Sequence, residues 1–287
     1  MLKLSRPLHL LLAALTYLLG ASIPAYIGKP FQVVPFILGL FGVLFAQAGM
    51  ALLSEVFRPQ NEPLIAGETP KQKETLRSNL LYVSVGMIAT TAVITFIIHI
   101  NFTLTLPAFL FLLSSIILVL LYSIPPFHLV NRGFGELTLA VHIAYVIPSI
   151  AFLFQLGENS RLLTLLLIPL TVLALAYFLI VNFTTSPDDQ KYERGTLLRY
   201  LTWESAVPFH HGLVVVAYFL FALVPLLGFS FNLVAPAFYT LPFALFQIFQ
   251  LRAVVNGSPP NWKLLTSTAV AVFGLTTYFL TLTFWLR

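Results

Sequence analysis

No cysteine occurs in these 287 residues, which excludes disulfides, thiolate metal sites and thiol nucleophiles. Charge is scarce too: Asp, Glu, Lys and Arg make up 9% of the chain, and only ten residues are acidic. Together with 59% hydrophobic residues and a mean hydropathy of +0.93, this excludes an ordinary water-soluble domain. No polar linker is long enough to separate two domains, so 1–287 reads as a single one.

What the chain has instead is long apolar runs. Nine of them lie near 8–27, 31–56, 79–100, 106–124, 137–156, 162–183, 207–227, 231–250 and 264–286. Most approach the roughly 20 residues a helix needs to cross the hydrocarbon core. The expected fold is all-α, a polytopic membrane protein of nine transmembrane helices. With the N-terminus in the cytoplasm, twelve of the fifteen Lys and Arg fall on that side. They are Lys3 and Arg6; Arg58, Lys71, Lys73 and Arg77; Arg132; Lys191, Arg194 and Arg199; and Arg252 and Lys263. Lys29, Arg161 and Arg287 remain outside, a split that follows the positive-inside rule. The net charge of +5 is thereby explained by orientation and contact with anionic membrane lipid, and no nucleic-acid partner is expected.

Residues 1–26 combine Lys3 and Arg6 with an apolar core, as a signal peptide does, but the stretch is long enough to span and reads as the first helix. Asn101-Phe-Thr103 and Asn182-Phe-Thr184 match the glycosylation pattern, the second on the predicted cytoplasmic side. Helices two and six each run into a long polar segment, 57–78 and 184–207. Their spacing of four helices suggests pseudo-repeats over 8–124 and 137–250, with 264–286 as a final helix. His142 lies mid-span, where an imidazole can contact a pigment or a quinone oxygen. A hydrogen-bonded interior histidine is the other reading. With so few other ionisable groups at that depth, a transporter is the weaker class of function.

Three cytoplasmic segments carry the motifs. At the end of helix two and in its loop, QAGMALLSEVFRPQNEPLIAGETP places Gln47, Ala51 and Glu55 on one helical face. YSIPPFHLVNRGFGE follows helix four, and NFTTSPDDQKYERGTLLRYL ends helix six. Together these resemble the UbiA superfamily of intramembrane aromatic prenyltransferases, in particular its menaquinone-pathway branch. Asn61-Glu-Pro-Leu-Ile-Ala-Gly67-Glu-Thr-Pro70 is similar to that family's Asn-Arg-Pro-Leu-Pro-Ser-Gly-Arg-Ile-Ser/Thr-Pro. The second segment is similar to its Tyr-Ser/Thr-x-Pro-Pro and Arg-Gly-Leu-Gly-Glu.

The resemblance implies nine helices and active-site loops after helices two and six. It also implies transfer of a polyprenyl group from its diphosphate to an aromatic acceptor, with Mg²⁺ held by two Asp-rich motifs. Mg²⁺ takes hard oxygen ligands, and this sequence has lost most of them. Counting back from Asn61, the first motif falls on Gln47, Ala48, Ala51 and Glu55, and the following Arg is replaced by Glu62, whose charge repels a diphosphate. Anchored on Asn182, the second motif's Asp positions fall on Ser186 and Gln190. Anchored on Asp188, the next falls on Tyr192; only a shifted register, Asp189 with Glu193, restores two acids four apart. The expected metal ligands are therefore drawn from Glu55, Asp188, Asp189 and Glu193. Diphosphate contacts are drawn from Arg58, Arg132, Lys191 and Arg194.

Two functions stand side by side. One is a prenyltransferase using Mg²⁺, a polyprenyl diphosphate and a quinone-precursor-like acceptor. The other keeps the fold without catalysis and holds a lipid, quinone or pigment as a scaffold or subunit of a membrane complex. Without a eukaryotic targeting presequence, the expected location is a bacterial or archaeal inner membrane.

Overall fold

The structure, a computed structural model, describes residues 4–102 and 104–286. Lys3, Thr103 and Arg287, which entered the charge and glycosylation readings, lie outside them. Among the described residues there is no strand, and nine helices are long and apolar enough to cross a membrane. They are α1 (Pro7–Tyr26), α2 (Val33–Val56), α3 (Pro70–Phe102), α4 (Leu106–Ser123) and α5 (Gly135–Leu156). After these come α6 (Arg161–Lys191), α7 (Leu197–Leu227), α8 (Ala235–Val255) and α9 (Trp262–Trp285). The chain is an integral membrane protein.

Helix α5 is the most buried element, while α3, α4, α7 and α8 turn much of their surface outward. A helix apolar on every side belongs either in a core or against lipid, and both kinds occur. Outward-facing Phe96, Phe109, Phe219 and Phe249 are lipid-compatible, whereas Ile143, Ile147, Ala151 and Phe152 of α5 are fully enclosed. Helix α1 crosses α5 at Gly20, where an added Cβ would lie 2.0 Å from the Pro148 carbonyl oxygen. Only glycine permits that approach. One turn earlier α5 relaxes into a π-turn over His142–Val146, a device that rotates the side chains around it out of α-helical register.

Of the two long polar segments expected as loops, 184–207 is largely helical and 57–78 is helical from Pro70 onward. Helix α3 starts at Pro70, α6 runs on to Lys191 and α7 starts at Leu197. Hydropathy marks the immersed part of a helix, and Lys, Gln, Glu and Arg continue it into water at little cost. The start of α3 is written locally. Pro70 takes the first helical position, while Thr69 and Gln72 exchange reciprocal bonds, Thr69 N to Gln72 Oε1 at 3.0 Å and Gln72 N to Thr69 Oγ1 at 3.3 Å. The true connections at this end of the bundle, assigned to the cytoplasm by the charge split, are 57–69, 124–134, 192–196 and 256–261.

Candidate functional site

At this inner end the mouths of α1, α2, α4, α5 and α6 enclose a cavity of about 340 Å³. Helix α1 contributes His9 and the residue before it, Arg6; α2 brings Ser54 and Glu55; α4 brings Tyr122; α5 brings Glu136. Helix α6 adds Asn182, Thr185 and Asp189, spaced three and four apart and so on one face. The connections supply Arg58 and Glu62, His128 and Asn131, and Arg194 and Thr196.

Three arginines and three acids alternate around this space. Arg6 donates to Glu55 at 3.4 Å, and Glu55 also pairs with Arg58. Arg58 Nη1 lies 2.9 Å from Glu62 Oε1. Arg194 forks onto Glu62, with Nε donating to Oε2 at 3.0 Å and Nη2 to Oε1. Its Nη1 donates to Asp189 Oδ1 at 2.8 Å, and Thr185 Oγ1 donates to the second Asp189 oxygen at 2.9 Å. The carboxylates of Glu62 and Asp189 are only 1% exposed. Each of these enclosed carboxylates meets a guanidinium, the kind of partner that burial of an acid requires. Burial opposes the charge on Arg194, but its bonds to Glu62 and Asp189 outweigh that and hold it above the ordinary arginine value. Beside the chain of charges, Asn182 donates to Glu136 Oε1 and Arg6 to the Tyr122 hydroxyl at 3.2 Å. Burial, then the neighbouring Arg132, hold the His128 imidazole below the ordinary histidine value.

Comparison of the whole bundle with solved structures decides what fold this is. A UbiA homolog from Archaeoglobus fulgidus bound to DMAPP and Mg²⁺ superposes with a TM-score of 0.72 at 15% identity, covering 100% of this chain and 99% of that one. The fold is that of the UbiA homologs. The same archaeal protein bound to GPP and Mg²⁺ gives 0.66 at 16% identity, with 99% and 98% covered. A digeranylgeranylglyceryl phosphate synthase gives 0.56 at 15%, with 99% and 96% covered. No protein-family model and no curated protein matches the sequence itself.

Within the UbiA fold the predicted residues separate into two groups. Glu55, Arg58, Asn182, Asp189 and Arg194 line one cavity. Asn61, Arg132, Asp188, Lys191 and Glu193 are exposed and do not line it. Asp188 precedes Asp189 by one residue on a helix, so the two point about 100° apart. The Asp189 and Glu193 pairing fails for a local reason: α6 ends at Lys191, and Glu193 adopts φ 55, which turns it off the helical face. Lys191 lies over the Tyr192 ring, 5.0 Å from its centroid. Gln47, Ala51 and Ser186 are buried outside the cavity lining. Arg6, His9, Tyr122, His128 and Glu136 were missed as site residues. Tyr122, His128 and Glu136 carried a usable signal, as the first, an internal and the last residue of the YSIPPFHLVNRGFGE segment, whereas Arg6 and His9 carried none.

The donor set does not fit Mg²⁺. A magnesium site needs several hard oxygens converging within about 2.1 Å of one point. Among the described residues no group of three His, Asp or Glu is placed to hold a metal. Of the cavity acids, Glu55, Glu62 and Asp189 each face a guanidinium, and Glu136 receives the Asn182 amide. The expected set of Glu55, Asp188, Asp189 and Glu193 is therefore not assembled.

His142 is fully buried and occupied at both nitrogens. Nδ1 lies 2.8 Å from Gln47 Oε1 and Nε2 lies 2.8 Å from Ser115 Oγ. Because the amide oxygen only accepts, Nδ1 carries the proton and the Ser115 hydroxyl donates to Nε2. No ring nitrogen is left for a pigment metal, and His142 lines neither the inner cavity nor a second one in the bundle. The second of these is an apolar groove of about 340 Å³ between α2, α3, α4 and α5, floored by Gly42, Val43 and Ala46.

Proposed function

We propose that this chain is a UbiA-superfamily relative that holds a lipid or quinone by its polar head in the inner cavity, as a scaffold or subunit within the membrane, and does not perform Mg²⁺-dependent prenyl transfer. One observation carries the reading. Three of the four cavity carboxylates, Glu55, Glu62 and Asp189, are already matched by arginines, and the fourth, Glu136, is held by the Asn182 amide. A diphosphate entering alone would bring negative charge into a cavity whose three arginines already face Glu55, Glu62 and Asp189, and whose lining holds a fourth acid, Glu136. A head group that is neutral or zwitterionic meets no such cost. Its hydrogen-bonding partners are at hand: buried His9 Nδ1, His128 Nε2 and Thr196 Oγ1 line the cavity and bond no other described residue. Leaving such atoms unpaired costs about 1–3 kcal/mol each, which a ligand head group would recover. The host membrane in this reading is a bacterial or archaeal inner membrane, and 8–124 and 137–250 are its two related halves.

The test is to purify the full chain in mild detergent, identify co-purifying lipids by mass spectrometry, and assay diphosphate release from DMAPP, GPP and longer prenyl diphosphates with Mg²⁺. The expected result is near-stoichiometric lipid and no release above blank. Mg²⁺-dependent release abolished by Asp189→Asn would refute the reading. The competing reading, prenyl transfer to an aromatic acceptor, is favoured by Arg6, Arg58 and Arg194 meeting at one cavity. In that case Arg58 and Arg194 grip the diphosphate, and the same assay supports it.

A further inference from the structure

We propose that Glu62 is the internal occupant of a latent phosphate seat formed by Arg58 and Arg194, and that this contact keeps the seat closed in the native chain. The inference rests on the reading of the inner cavity as a ligand site; it adds a gate, the Glu62 contact, to the diphosphate contacts that the resemblance implies for Arg58 and Arg194.

Glu62 belongs to the 57–69 connection, yet its carboxylate is 1% exposed. It receives a two-point fork from Arg194 and a third contact from Arg58 at 2.9 Å. A guanidinium fork from Arg194 and a single guanidinium contact from Arg58, converging from separate segments on one pair of oxygens, make an arrangement suited to a phosphate group. Here a carboxylate fills it.

Both arginines keep other anchors. Arg58 Nη1 donates to the Pro63 carbonyl at 3.0 Å, and Arg58 pairs with Glu55. Arg194 donates to Asp189 at 2.8 Å. The seat therefore stays pre-organised when Glu62 leaves, which is what low-cost binding requires. The gate has its own latch. Lys73, in the first turn of α3, donates to the Glu62 backbone carbonyl at 2.7 Å and also to that of Gln60. Glu62 is thus held in place from outside the cavity by a residue that does not line it.

An external anion must compete with a carboxylate already in position, so its apparent affinity falls by the fraction of time the seat is empty. The experiment titrates inorganic pyrophosphate, with EDTA present, into the detergent-solubilised full chain by calorimetry. The native chain should show no saturation below millimolar concentrations. Glu62→Gln should bind about tenfold tighter or better, and adding Arg194→Gln should remove the gain. Lys73→Ala, which substitutes no residue of the cavity lining, should move affinity in the same direction by a smaller factor. It serves as the deciding variant if Glu62→Gln is not monodisperse. Equal affinity of native and variant proteins overturns the proposal, as does binding that appears only with a prenyl diphosphate and never with pyrophosphate. Lipid in the native preparation is scored separately. A lipid-free protein whose Glu62→Gln variant gains pyrophosphate sinks the lipid reading alone; a lipid-loaded protein with no gain sinks the phosphate seat alone.

Discussion

Substituting Arg194 by Gln strikes the alternating charges where they are least replaceable. Glu62 would keep Arg58 as a partner, but Asp189, 1% exposed, would keep only the Thr185 hydroxyl. Removing one partner of a fully buried ion pair costs about 3–5 kcal/mol, because the other charge is stranded. Arg194 is itself 25% exposed, so some water already reaches the pair, and we expect about 2–3 kcal/mol. Asp189→Asn in the same background removes the stranded charge and should return a good part of the loss. The double-mutant cycle should then give a coupling of about 1–3 kcal/mol. Reversible unfolding in mixed detergent micelles, followed by tryptophan fluorescence, supplies the measurement; Trp203 packs on Phe183 of α6 at 4.5 Å and reports on this end of the bundle. If the two substitutions add to within about 0.5 kcal/mol, the residues are uncoupled and the network is not an energetic unit.

Three further outcomes are expected. His142→Leu strands the Gln47 carbonyl and the Ser115 hydroxyl and should cost about 2–4 kcal/mol in the same unfolding assay; a loss under about 0.5 kcal/mol would contradict the bonding described. Gly195→Ala drives a methyl to 2.0 Å from the Asn131 carbonyl oxygen and should lower thermal stability by about 1–3 kcal/mol, whereas an unchanged melting temperature would show that the 124–134 and 192–196 connections are not in close contact. The depressed pKa of His128 gives a pH dependence: the unfolded chain takes up its proton near 6.5 and the folded chain only at lower pH, so stability present above that value is lost as pH falls through this window. His128→Gln should flatten the decline of melting temperature between pH 7.5 and 5, and an identical slope would remove His128 as its source.

Hydropathy alone located all nine spans, since immersion demands about 20 apolar residues wherever a helix crosses. It misplaced the inner ends of α3, α6 and α7, because a helix leaving the bilayer keeps its geometry while its residues turn polar. Glu193 was misread for a related reason. Spacing of four places two acids together only while the helix continues, and α6 stops two residues short. Glu55, Arg58, Asn182, Asp189 and Arg194 were legible because the motif segments bring them to one mouth. The pairing that decides their chemistry was not. Arg194 and Glu62 stand 132 residues apart, and Arg6 reaches Glu55 across 49; nothing local distinguishes a carboxylate awaiting a metal from one already held by an arginine.

The most direct test of that distinction is a titration of Mn²⁺, which shares magnesium's preference for oxygen ligands, into the purified chain followed by electron paramagnetic resonance, with and without GPP. If the cavity acids are committed to Arg6, Arg58 and Arg194, no saturable binding should appear below millimolar Mn²⁺ in either case. Stoichiometric micromolar binding that requires GPP and disappears in Asp189→Asn would contradict the account.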